Sequence, residues 1–324
     1  MLIGIPEEKD YNIYPSTYSW AREMYEQAVA NTWFPKEVPL KEDLDDLQSM
    51  TEDEVDAVKF IMSFMNPAEL VVNRSIALGI YPYIKSAECH LFIAKWLYEE
   101  ANHCMTFEYM LETFPWDRDE IYGKHLITPA MQAKEKFVQS FTERMTSATL
   151  DISSPEGKKD FIRNLVATNV IMEGVWFYSG FMVMLSFRQR NKLRNFGSLI
   201  NWIIRDESLH LKFGMTLLLT ILEENASLIT EEFATEIRDL IVRGVDLEIA
   251  YNHELFPNGI LGLNADYVNQ YVKYVADRRL EELGFETHYN VQNPAKWMAT
   301  STDVLELVNF FEQQNTNYEV NTSA

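Results

Sequence analysis

The sequence predicts an all-α protein, a helical bundle with additional helices packed around it, on three observations. Glycine and proline are scarce, at 12 and 11 in 324 residues, while Leu, Met, Ala, Glu and Lys run in long helix-favouring stretches. Apolar residues recur at helical spacing in successive segments, most of them bounded by a cap, a proline or a glycine. Two Glu-x-x-His elements, Glu100 with His103 and Glu207 with His210, each put an acid and an imidazole on one helix face.

Residues 1–15 lack periodicity and read as an irregular arm. An amphipathic helix is expected from about Thr17 to Ala30, ending before the loop Asn31-Thr32-Trp33-Phe34-Pro35. Thr51 and Glu54 form a capping box that opens a helix through Val58, Ile61, Met62 and Met65. Pro67 should kink or restart that helix before Glu69. Ser86 opens the next, which runs through Phe92, Trp96, Glu100, His103 and Phe107 to about Thr113. A further helix spans about Pro129 to Thr146. Ser154-Pro155 then supplies a cap and a first-turn proline for a long apolar helix with Leu165, Glu173, Trp176 and Phe181. The Gly197 region precedes a helix bearing Trp202, Asp206, Glu207 and His210. Helices over about 230–254 and 265–283 follow, the second closed by Gly284. No linker divides the chain, so residues 1–312 read as one domain and the polar, aperiodic residues 313–324 as a mobile tail.

Composition narrows the function. A formal charge of -21 argues against nucleic acid or an anionic membrane surface as partner, because binding phosphates needs a basic face. The N-terminus carries no basic stretch followed by an apolar one, so no secretory signal is visible. The most apolar run, Gly174 to Phe187, is too short to span a bilayer. Two cysteines, Cys89 and Cys104, make no disulfide framework and suit a reducing cytoplasm.

The chemistry is carried by acids in apolar company. With 49 acids in 324 residues, six histidines meet roughly one acid three residues upstream by chance, so the two pairs alone discriminate little. Glu173, however, sits within Asn-Val-Ile-Met-Glu-Gly-Val-Trp-Phe-Tyr, where an unpaired carboxylate costs on the order of several kcal/mol. Glu69 lies in a similar setting, and it precedes Glu100 by about as far as Glu173 precedes Glu207. Two lone acids and two Glu-x-x-His elements on four helices build a two-metal carboxylate site inside a bundle. Four carboxylates would balance two divalent ions, and oxygen-rich ligation with two imidazoles suits iron or manganese rather than structural zinc. The alternative is that Glu69 and Glu173 face solvent or pair with arginines such as Arg74 or Arg205.

The motifs Asn-Thr-Trp33-Phe-Pro, Glu69, Tyr-Glu-Glu100-Ala-Asn-His103, Met-Glu173-Gly-Val-Trp-Phe-Tyr-Ser-Gly and Arg-Asp206-Glu207-Ser-Leu-His210, with Tyr318 in the tail, cover nearly the whole chain. Together they resemble the small, radical-generating subunit of class I ribonucleotide reductase. The resemblance implies a ferritin-like, cytoplasmic homodimer whose metal ligands are Glu69, Glu100, His103, Glu173, Glu207 and His210. It implies that the reduced metals react with O2, and that Asp206 links a ligand histidine to Trp33. Tyr318 would relay the radical to the large catalytic subunit, where ribonucleoside diphosphates are reduced and where the C-terminal tail docks. That division of labour agrees with the cysteine count, since the reductive chemistry needs a radical-forming cysteine and a redox pair.

One departure matters. Most of the family has a radical-bearing tyrosine four residues after the first ligand histidine, where this chain has Phe107. A benzene ring lacks the phenolic hydrogen, so the oxidising equivalent should stay on the metals. That resembles the manganese/iron branch, class Ic, which also favours Glu at the position of Glu69. Mn/Fe is therefore the expected pair, with Fe/Fe and Mn/Mn as alternatives. Tyr109 and Trp202 match aromatic positions implicated there in electron transfer during activation, Trp202 standing where a tyrosine is usual; both also fit as packing residues. Two rival functions are a ligand-binding dimetal oxidase of the same superfamily and ferritin-like iron binding. The oxidase cross-links a valine to a tyrosine near the metals; Val71 would suit, but Thr168 stands at the tyrosine's place.

Overall fold

The computed structural model describes residues 1–298; residues 313–324 and Tyr318 lie outside them. Among the described residues the chain forms α-helices and short 3-10 and π segments, with only isolated bridges, Ile3 to Ile84 and Ile260 to Leu263, of β type. The α-helices are α1 (Ser19–Ala30), α2 (Leu44–Leu47), α3 (Glu52–Ser75), α4 (Ala87–Thr113), α5 (Arg118–Ile127) and α6 (Pro129–Met145). They continue with α7 (Pro155–Leu165), α8 (Phe177–Gln189), α9 (Arg194–Glu224), α10 (Glu231–Leu255) and α11 (Ala265–Glu282).

Local signals set most boundaries. The Thr51 hydroxyl accepts from the Glu54 amide at 3.2 Å and the Glu54 carboxylate accepts from the Thr51 amide at 3.0 Å, the reciprocal box that starts α3. Ser86 caps α4 through the Cys89 amide, and Ser154 caps α7 through the Gly157 amide. Gly284 closes α11 with φ +82°, a conformation open to glycine.

Four departures from the sequence expectation have physical causes. Pro67 does not restart α3, which runs unbroken over 24 residues because its neighbours are buried on both sides and packing holds the helix across the missing N–H. The helix α5 was not expected: it buries only Ile121 and His125, too sparse a stripe for periodicity to reveal. Gly197 lies inside α9 rather than before it; α9 starts at Arg194, where the Asp43 carboxylate accepts from the Asn195 and Phe196 amides. The apolar run 174–187 is part of a continuous helical stretch, Pro155–Gln189, long and apolar enough to cross a membrane by composition. Its apolar window is wholly buried inside the protein, the position of a core helix.

α7 and α8 are joined without a break by a π-wound stretch, Val166–Trp176, in which every residue is buried. A shorter π segment, Ile76–Ile80, continues α3. Wide turns of this kind are local insertions that re-aim side chains, and they cluster at functional sites. Glu173 lies in the longer one.

Candidate metal centre

Four elements converge on one buried cluster: α3 brings Glu69, α4 brings Glu100 and His103, the π stretch brings Glu173, and α9 brings Glu207 and His210. All six side chains have no solvent exposure. Ligand-capable atoms of Glu69, Glu100, His103 and Glu207 all lie within 4.8 Å of one another, as do those of Glu100, Glu173, Glu207 and His210. Glu100 and Glu207 belong to both groups, so the cluster is two half-sites sharing two carboxylates.

The donors and acceptors do not balance. Both oxygens of Glu69 and of Glu207, Oε2 of Glu100 and Nδ1 of both histidines have no hydrogen-bond partner, although all are buried. His103 Nδ1 faces Glu207 Oε1 at 3.0 Å and Glu69 Oε2 at 3.6 Å; His210 Nδ1 faces Glu100 Oε1 at 3.1 Å and Glu207 Oε2 at 3.6 Å. Buried acceptors held this close need a cation or a shared proton between them. Carboxylate oxygens and imidazole nitrogens converging from four helices are a donor set that two divalent iron or manganese ions fit. The arginine alternative fails: Arg74 is exposed, and Arg205 approaches Asp206, at 3.6 Å.

Electrostatics without metal shows the same imbalance. Burial, added to the neighbouring carboxylates, pushes Glu69 and Glu173 well above the ordinary carboxylate range, and burial with the Glu207 charge raises Glu100. Burial works to raise Glu207 as well, but the two imidazoles on either side hold it down at about 2. Burial alone would depress the imidazoles. Hydrogen bonds with Asp206, Glu207 and Glu69 instead raise His103 well above its usual value, and Glu100, Glu207 and Glu99 do so for His210.

The surrounding residues fix orientation. Asp206 Oδ2 lies 3.2 Å from His103 Nε2 and accepts the Trp33 indole N–H at 2.6 Å. The Trp33 ring stacks on His103 with centroids 6.2 Å apart, and Trp202 packs on Trp33 at 5.3 Å. Tyr109 stands apart from that array, its hydroxyl donating to the Val38 carbonyl at 3.1 Å. Phe107 is fully buried one turn beyond His103. The Thr168 hydroxyl meets the Ser75 hydroxyl at 2.6 Å. Cys89 is buried and Cys104 half-buried, and burial pushes their thiols up to about 12 and about 11, so neither is a ready thiolate.

Three contributors had no place in the sequence reading of the site. Trp96, one turn before Glu100, donates its indole N–H to Glu100 Oε1 at 3.0 Å and to Glu173 Oε1 at 3.1 Å. The Asn169 amide donates to Glu173 Oε2 at 2.8 Å and to the His210 carbonyl at 3.1 Å. It fits because residue 214 is glycine, where a Cβ would stand 2.1 Å from the Asn169 amide carbon. Glu99 Oε2 lies 2.9 Å from His210 Nε2. Only Glu99 left a signal, since an acid precedes the Glu-x-x-His glutamate on both helices.

A helical bundle with paired carboxylates and histidines at its centre defines the ferritin-like, dimetal-carboxylate class of proteins. Within that class, a model of the small chain of ribonucleotide reductase matches residues 10–294. The ribonucleoside-diphosphate reductase subunit beta of Chlamydia pneumoniae is 38% identical over 307 residues, covering 94% of this chain and 89% of that one. The ribonucleotide reductase R2 subunit from Clostridium botulinum superposes with a TM-score of 0.81 at 29% identity, over 88% of this chain and 89% of the other. A putative class I ribonucleotide reductase from Bacillus halodurans gives 0.78 at 25% identity, over 87% and 99%. The chain belongs to the small-chain family of ribonucleotide reductase, an oxidoreductase.

Proposed function

We propose that Glu69, Glu100, His103 and Glu207 hold one metal and Glu100, Glu173, Glu207 and His210 a second, and that the pair is Mn/Fe, with Fe/Fe or Mn/Mn as the alternatives. The observation that carries this is the set of buried, unpartnered carboxylate oxygens and imidazole nitrogens facing one another on four helices. When bound, the metal pair activated by O2 supplies the oxidising equivalent that generates a thiyl radical in the large catalytic subunit, where deoxyribonucleotides are made.

This chain's own residues position and insulate the site. Asp206 accepts from Trp33 and faces the outer nitrogen of His103, which supports a route from the centre to the loop after α1. Tyr318 would continue that route to the large subunit from a docking tail, residues 313–324, appended to a domain of residues 1–312. Phe107, buried and without a hydroxyl, supports retention of the oxidising equivalent on the metals. Trp202, in contact with Trp33, is the stronger of the two candidates for electron entry; Tyr109 has no ring contact with them. α3 leaves Leu70 exposed, the π segment that continues it leaves Leu78, and the adjacent α4 leaves Tyr98 and Met105, exposed apolar residues that support a homodimer. The cytoplasm, and the absence of nucleic acid and membrane from the partners, complete the reading.

The test combines metal analysis with turnover. Protein purified with manganese and iron both available should carry two ions per chain and, after O2 exposure, support deoxyribonucleotide formation with its large subunit. Intact turnover in Glu173→Ala or Tyr318→Phe would show that the proposed site or route is wrong.

A further inference from the structure

The two helices that carry the Glu-x-x-His elements also carry an acid immediately before each glutamate, Glu99 on α4 and Asp206 on α9. Neither acid serves the histidine of its own helix. Asp206 of α9 reaches His103 of α4 at 3.2 Å, and Glu99 of α4 reaches His210 of α9 at 2.9 Å. The bracing is reciprocal. In both cases the carboxylate takes the outer ring nitrogen, Nε2, and leaves Nδ1 aimed at the shared glutamates.

The outer ends differ. Asp206 Oδ2 accepts from the neutral Trp33 indole while its Oδ1 lies 3.6 Å from Arg205 Nε on its own helix, whereas Glu99 Oε1 lies 3.1 Å from Lys95 Nζ one turn earlier on α4, both side chains nearly buried. The Lys95 ammonium sits over the Tyr98 ring at 4.5 Å, which holds it against the helix. Glu99 is thus a buried carboxylate whose charge is matched on one oxygen by lysine, while its other oxygen fixes an imidazole. A carboxylate accepting from Nε2–H sets the tautomer in which the Nδ1 lone pair points inward, and it makes that nitrogen a better ligand.

We infer that Glu99, anchored by Lys95, is the positioning residue of the His210 half-site, performing there what Asp206 performs for His103. This rests on the dimetal reading above. It assigns to one acid the affinity of one half-site: losing such a partner weakens metal binding by about 10- to 100-fold.

The experiment titrates metal-free wild type, Glu99→Ala, Glu99→Gln and Asp206→Ala with Mn(II), reading free Mn(II) by electron paramagnetic resonance and locating bound ions by anomalous diffraction. Wild type should take two ions per chain. Glu99→Ala should keep one at wild-type affinity and bind the other about 10- to 100-fold more weakly, the deficit falling beside Glu173 and His210. Asp206→Ala should show the deficit beside Glu69 and His103. Glu99→Gln, which keeps an acceptor oxygen but not the charge, should lose less, in the same half-site, and carries the test should the alanine variant fail to fold. An isotherm unchanged in both Glu99 variants, or half-sites weakened equally, overturns the inference. Should wild type bind no metal, the dimetal reading falls by itself. The His210 ring in metal-free Glu99→Ala crystals then decides the bracing: a rotated ring supports it and an unmoved ring overturns it.

Discussion

Lys134 Nζ lies 2.5 Å from Glu248 Oε2, with neither side chain exposed to solvent. The pair ties α6 to α10, and the ammonium is enclosed by the rings of Phe64, Tyr251 and Trp176 at 3.6, 4.0 and 4.8 Å. Burial pulls Lys134 down to about 8, and the adjacent Glu248 carboxylate works against that fall. Breaking a buried pair strands the remaining charge, so Lys134→Met alone should cost about 3–5 kcal/mol in denaturant unfolding. Lys134→Met with Glu248→Met should recover most of that loss. Equal losses in the single and double variants would mean that aromatic packing, not charge, dominates.

Metal-free protein should lose stability as pH rises. Glu69, Glu100 and Glu173 have folded pKa values raised above the ordinary 4.5, so their protonated forms stabilise the fold fully below that value and less as pH climbs through the folded ones. His103 and His210 are raised above 6.5 and act in the same direction, their contribution fading above it. Glu207, held at about 2, contributes stability above 4.5 that vanishes only in acid, and so does not tilt the neutral range. Calorimetry of metal-free protein should show the melting temperature falling as pH rises above the ordinary carboxylate value of 4.5, with the histidines adding to the fall above 6.5, and Mn(II) should raise it most at the alkaline end. A flat profile would remove the charge imbalance inferred for the centre.

Trp33→Phe removes the indole N–H that Asp206 accepts but keeps a ring beside His103. Metal content should stay at the wild-type level while turnover with the large subunit drops by about 10- to 100-fold. Wild-type turnover at full metal content would take Trp33 off the route.

Phe107→Leu tests whether the buried ring has any redox part. If the oxidising equivalent never rests there, the variant should keep turnover within a few-fold and lose about 1–2 kcal/mol of stability from imperfect repacking. A metal-replete variant without turnover would return that role to residue 107.

The helices that carry the site were legible because local chemistry marks their ends: Thr51 with Glu54, Ser86, Ser154 with Pro155, and Gly284. The six candidate ligands were legible because acids in apolar sequence need a counter-charge. Trp96 and Asn169 were not: each donates to a glutamate four residues further along, a spacing that ordinary packing residues share, and each also bonds a group on another element, for which no sequence spacing exists. Glu99 left its place before Glu100 as a signal, but its target, His210, lies on α9. The π winding around Glu173 escaped for a related reason: one hydrogen-bond register replaces another without changing which residues are apolar. Pro67 misled because burial of Met65, Ala68 and Glu69 keeps α3 continuous against a rule that holds for exposed helices.

Gly214 carries a practical warning for reading such chains. It has no side chain to coordinate or donate, yet a larger residue there would evict the Asn169 amide and leave Glu173 held by the Trp96 indole alone. A gene could therefore drift at this codon, preserve every carboxylate and imidazole that a motif search scores, and still encode an inert scaffold. Inventorying coordinating side chains is thus insufficient; the hydrogen atom that stands in for a methyl group on α9 belongs in the same census.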